Sequence, residues 1–110
     1  MTYAEKLLDL RWLQKRQEVI LFDGGRCRDC GDSDRLQVHH CFYLRGREPW
    51  DYPDGLLMTL CDLCHRRRQQ LEEAAHLAFA VFLRSLAAED LEDEAWGWLA
   101  RKAELEAVNQ

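Results

Sequence analysis

Four cysteines stand in the chain as two close pairs, Cys27-Arg28-Asp29-Cys30 and Cys61-Asp62-Leu63-Cys64, with thirty residues between them. A two-residue spacer lets both thiolates of a pair reach one ion from a tight turn, and two such pairs complete a tetrahedron. The expected ion is a structural Zn²⁺ on Cys27, Cys30, Cys61 and Cys64. Closed four-sulfur ligation leaves no position for a substrate, so this ion would hold the fold and do no catalysis. Four unrelated thiols, or a redox pair, would not call for the repeated spacing. The fifth cysteine, Cys41, reads as a small apolar residue rather than a ligand.

Histidines come next. His39 and His40 adjoin in Leu36-Gln37-Val38-His39-His40, and His65 follows Cys64 directly. On a strand His39 and His40 point to opposite faces. Lone histidines are usually structural. Three of them near a cysteine-zinc anchor suggest a second, catalytic metal. For that to form, the second knuckle must start a helix beside the strand that carries His39.

The elements that would do this are legible from pattern. A chain of 110 residues suits one domain with a thin core, for which a metal staple is useful. Residues 2–22 read as a helix opened by the capping box Thr2-x-x-Glu5 and stopped by Asp23-Gly24-Gly25. Strands are expected at 36–40 and 57–60 within an irregular middle. A second helix is expected over 62–87 and a third over 89–109, the last with acid at its start that suits the helix dipole. The fold class is therefore α+β, mostly helical: an N-terminal helix, a small zinc-stapled motif and a C-terminal helical arm. The division falls between residues 1–70 and an acidic extension at 71–110, which either packs on the first part or serves association.

Charge and hydropathy narrow the setting. Residues 1–70 carry 12 Lys/Arg against 11 Asp/Glu, and residues 71–110 carry 3 against 9. A globally basic nucleic-acid footprint is absent, but a local one gathers near the cysteines. The longest apolar run, residues 77–83, is far too short to span a bilayer, so no membrane partner is expected. The start MTYAEKLLDL lacks the order of a signal peptide. A cytoplasmic location is expected, in a bacterial, phage-infected or host cell, where thiols stay reduced and metal binding outranks disulfides.

The order Cys-x-x-Cys-Gly, Leu-Gln-Val-His-His, Pro-Trp-Asp-Tyr and Leu-Cys-x-x-Cys-His, led in by residues 12–22, resembles the HNH endonuclease family in its zinc-bearing, ββα-metal form. The likeness spans about residues 3–70. It implies a DNA phosphodiester hydrolase in which His39 and His65 ligate a divalent metal and His40 is the general base. The metal, Mg²⁺, Mn²⁺, Ni²⁺ or Zn²⁺, would stabilise the scissile phosphate and the departing oxygen, leaving 5′-phosphate and 3′-hydroxyl ends. The family's middle Asn is missing: Leu56 stands at that place, and Asp54 is the nearest residue able to supply an oxygen. The alternative is a degenerate HNH scaffold that binds a protein or nucleic acid without cutting.

Arg45, Arg47, Arg66, Arg67 and Arg68 flank the expected site and are the candidate phosphate contacts. Phe42, Tyr43, Trp50 and Tyr52 read as core. In the arm, Trp96, Trp98 and the apolar run at 77–83 suit self-association or a protein partner.

Overall fold

The computed structural model describes the backbone of residues 1–108 and the side chains of residues 1–97, 99 and 100. The protein is a mostly helical α+β fold. In order it has α1 (Tyr3–Lys6), α2 (Leu10–Phe22), β1 (Leu36–His40), a 3₁₀ turn (Asp54–Leu56), β2 (Leu57–Cys61), α3 (Asp62–Arg84) and α4 (Ala88–Val108). The chain divides into two compact units, Met1–Gln70 and Leu71–Gln110.

The capping box forms: Glu5 N–H donates to Thr2 Oγ1 (3.2 Å) and Thr2 N–H donates to Glu5 Oε2 (3.1 Å). The single N-terminal helix expected from the apolar spacing is instead two. Asp9 ends the first turn and caps the second helix, accepting from Arg11 N–H at 2.8 Å. Arg11 also reaches back with its guanidinium to both Asp9 oxygens (3.0 and 2.9 Å). That local carboxylate competes with the helical ladder, as short acidic side chains do. The second helix closes in a Schellman motif. Gly24, at φ 77°, donates to Leu21 O, and Gly25 donates to Ile20 O.

β1 and β2 pair antiparallel, with Leu36 opposite Cys61 and His40 opposite Leu57. Cys41 N–H donates to Leu56 O at 2.8 Å and extends the ladder by one residue. Two strands alone are marginal in water. Here α2 covers the hairpin: Trp12 and Val19 pack with Val38, Tyr52 and Leu57. Arg16 donates to Leu36 O (2.7 Å), and Asp23 accepts Thr59 N–H (2.8 Å). Trp50 packs against this core and carries the Arg11 guanidinium 4.1 Å from its ring centroid. Phe42 and Tyr43, expected in the core, are exposed instead. The chain bends directly after β1 and carries them out of the sheet.

β2 runs into α3 with no loop between them. The helix ends at Arg84, three residues before the expected end. Ser85 takes over: its N–H and hydroxyl both donate to Phe82 O (2.9 and 2.6 Å). α4 begins at Ala88 with Glu89 and Asp90 in its first turn. Its expected end, Asn109, lies outside the described residues, as does the side chain of Trp98. Leu77, Phe79, Val81, Phe82 and Trp96 are exposed. Among the described residues no helix is long and apolar enough to cross a membrane.

The Asp23 carboxylate is buried and receives an amide at the middle of β2. Asp23→Ala leaves that Thr59 N–H without an acceptor. It should cost about 1–3 kcal/mol, read as a lower urea midpoint of the zinc-loaded chain. Asp23→Asn keeps an acceptor oxygen and should lose less.

Candidate metal centre

Each cysteine pair is shaped by its own backbone. In the first, Cys27 N–H donates to Asp32 O (2.7 Å) and Gly31 N–H donates to Cys27 O (2.9 Å). Gly31 takes φ 82°, a left-handed conformation that glycine adopts without strain. Asp32 accepts Asp34 N–H at 3.0 Å and closes the next turn. Arg28 N–H donates to Thr59 O (2.9 Å), which stitches this knuckle to β2. In the second pair, Cys61 is the last residue of β2 and Cys64 lies in the first turn of α3. Cys64 N–H points at Cys61 Sγ, 3.5 Å away.

The result is one cluster. The sulfurs of Cys27, Cys30, Cys61 and Cys64 all lie within 4.8 Å of one another. Cys30 and Cys61 are 3.6 Å apart. A disulfide would bring two sulfurs to about 2.05 Å. Two thiolates on a tetrahedral zinc, each with a bond of about 2.3 Å, stand about 3.75 Å apart. The Cys30–Cys61 spacing suits a shared ion. Cys27 and Cys61 are buried and Cys30 is exposed, so the cluster has a dry floor and an accessible rim. The thiols also differ in acidity. Burial opposes ionisation of Cys27, but the backbone groups of Cys61, Cys30 and Asp29 outweigh it and hold the thiol down to about 6. Cys64 is pushed up, chiefly by its contact with the Cys61 sulfur. A dication would relieve that crowding by drawing all four into the thiolate form. The residues therefore fit a structural zinc ion in number, softness and spacing.

A small ββα region surrounds the cluster. Gln37 Nε2 donates to Asp62 Oδ1 (3.0 Å), joining β1 to the start of α3. Asp29, in the first knuckle, takes a two-pronged ion pair from Arg68 on α3 (2.8 and 3.1 Å). That pair holds the Asp29 carboxyl below its usual range.

The strand splits the two adjacent histidines. His39, 3% exposed, meets His65 edge-on with ring centroids 5.1 Å apart. His40, 5% exposed, lies in an aromatic box: Trp12 at 5.1 Å and Tyr43 at 5.5 Å stack on it, and Tyr52 meets it edge-on at 4.6 Å. Its Nε2 is 3.1 Å from Pro49 O. A carbonyl only accepts, so the neutral ring carries its proton on Nε2 and leaves Nδ1 as the basic nitrogen. Burial lowers its pKa below the ordinary 6.5.

The other expected site residues are dispersed. Asp54 is exposed and bonded to Lys15 Nζ at 2.6 Å. Arg66 pairs with Asp62 (3.0 Å) and Arg47 with Asp51 (3.7 Å). Arg45 and Arg67 are exposed and make no ion pair among the described residues. Asp23, Arg16 and the Asp29–Arg68 pair do much of the positioning, through contacts that have no signal in the sequence. Each partner lies 20 to 39 residues away.

No family model, curated protein or solved structure matches the chain.

Structural zinc sites contribute about 10–16 kcal/mol, comparable with the whole stability of a small domain at about 5–15 kcal/mol. The purified chain should carry zinc that dialysis does not remove. Stripping it with a strong chelator should abolish the cooperative thermal transition of the Met1–Gln70 unit, and zinc, not magnesium, should restore it.

Proposed function

We propose that the chain is a zinc-stapled, HNH-like endonuclease that hydrolyses DNA phosphodiester bonds with a second divalent metal. The observation that carries this is the pairing of His39 and His65, rings 5.1 Å apart, on a ββα frame clamped by four cysteines. An imidazole from a strand and one from a helix form a pair able to hold one ion from two rigid elements. An ion held there supplies positive charge to the phosphate under attack and to the oxygen that leaves.

His40 is the base in this reading. The Pro49 carbonyl fixes its tautomer and burial keeps it neutral at pH 7, so Nδ1 is free of a proton; to take one from water at the ion, His40 would have to turn out of its aromatic box on the far face of β1. Of the arginines, Arg45 and Arg67 are exposed for phosphate contact. Arg47, Arg66 and Arg68 would exchange carboxylate partners for phosphate. Asp54 would have to leave Lys15 to serve the site.

A second reading has two specific observations behind it. His40 is enclosed by three aromatic rings, and Leu56 stands where the family's Asn belongs. Both features suit a scaffold that binds a nucleic acid or protein without cutting. In that case His40 is a core residue that ties the loop through Pro49.

Supercoiled plasmid incubated with Mg²⁺, Mn²⁺, Ni²⁺ or Zn²⁺ separates the two. The nuclease reading expects nicking that falls at least 100-fold in His40→Ala, the scale of a lost general base. Only neutral His40 can accept a proton, and its pKa is lowered. The rate should therefore rise with pH only below about 6.5 and stay flat above it. Equal traces of cleavage in wild type and variant would leave the binding module standing.

A further inference from the structure

We propose that Cys41 is a ligand of the second metal, alongside His39 and His65, and that this thiolate makes the site take a zinc-class ion rather than magnesium. The proposal rests on the reading of His39 and His65 as a metal pair and adds the side chain that selects the ion.

Cys41 reads in the sequence as an apolar filler, yet its position is that of a donor. The bond from its N–H to Leu56 O ties Cys41 to the residue before β2 at the bend that follows β1. A ring nitrogen of His39 and Cys41 Sγ lie within 4.8 Å; His65 is not within that distance of both and would have to turn in to join them. Two such donors on one zinc stand about 3.5 Å apart, a distance within reach of a side-chain rotation. The His65 ring approaches His39 from α3. Cys41 is half-buried and in no disulfide.

This site is separate from the four-cysteine cluster. The hairpin register puts Leu36 opposite Cys61, at the cluster's end. Cys41 lies five residues further along, about 16 Å at about 3.3 Å per residue. No single ion spans both.

The ligand chemistry decides the metal. Magnesium demands an octahedron of hard oxygens and has little affinity for a thiolate. Zinc and cobalt accept sulfur and nitrogen together in tetrahedral sites. Two imidazoles and one thiolate leave a fourth position open, as catalytic zinc sites do. The same set also accounts for a site without the family's Asn, since a thiolate supplies the charge that an oxygen donor would otherwise bring.

The test uses the full chain carrying one zinc per molecule, titrated with Co²⁺. Binding of a second ion should bring thiolate-to-cobalt charge-transfer absorption of about one quarter the intensity of a four-cysteine cobalt site. Cys41→Ser should remove that absorption and weaken the second ion at least tenfold, with the first zinc and the helical signal unchanged. In the wild type, excess Co²⁺ or Zn²⁺ should slow alkylation of Cys41 at least tenfold while Mg²⁺ does not. This second measurement holds even if the variant fails to fold. A second cobalt that binds without charge transfer, together with unprotected Cys41, overturns the thiolate ligand and leaves the histidine pair standing. Failure of any second ion to bind overturns both.

Discussion

A two-stranded hairpin has too few neighbours to fix its own position, and in this protein a single sulfur cluster does that work at the point where three segments meet. Cys27 and Cys30 come from the turn after α2, Cys61 from the end of β2 and Cys64 from the first turn of α3. An ion shared by these thiolates would tie the loop, the strand and the helix together at once. Buried Cys27 and Cys61 flank Leu60, which has no exposed surface, so the cluster is continuous with the apolar packing beneath it. The polar ties then reinforce the same junction. Arg28 N–H reaches Thr59, Asp23 reaches Thr59 from the end of α2, Gln37 reaches Asp62, and Arg68 reaches Asp29.

That clamp has a consequence further along the hairpin. Because β2 enters α3 without a loop, the direction of the helix is set at Cys61 and its first turn runs past β1. His65, one residue after a cluster cysteine, is thereby delivered to His39. The same strand turns His40 the other way, into the box of Trp12, Tyr43 and Tyr52 under α2. One pleat thus sorts two neighbouring histidines into two environments. One is a pair facing the helix, and the other is a neutral ring held by a carbonyl within an apolar wall.

Much of this is legible in the residues, and the rest is hidden for several physical reasons. The cysteine spacing predicts the cluster because a tight turn is a local constraint. The capping box at Thr2 and the glycines after Asp23 are local as well, and both form as read. The break at Asp9 is hidden because the apolar rhythm of Leu7, Leu8 and Leu10 runs through it, whereas the deciding contact is a carboxylate that captures Arg11. Asp23 reads as a helix stop, but its second task depends on Thr59, 36 residues on. Phe42 and Tyr43 have core composition, yet a bend after β1 turns them outward. Composition carries no sign for the direction of a bend. The place of His40 on the opposite face follows from alternation, but the aromatic wall it meets comes from three separate segments and has no sequence signature.

The junction of loop, strand and helix depends on four sulfurs sharing one ion. X-ray absorption at the zinc edge, on the full chain loaded with one equivalent of zinc, addresses this most directly. A first shell of four sulfurs at about 2.3 Å is the expected result. A shell in which nitrogen or oxygen replaces two or more of those sulfurs would contradict it, and with it the junction that brings β1, β2 and α3 together.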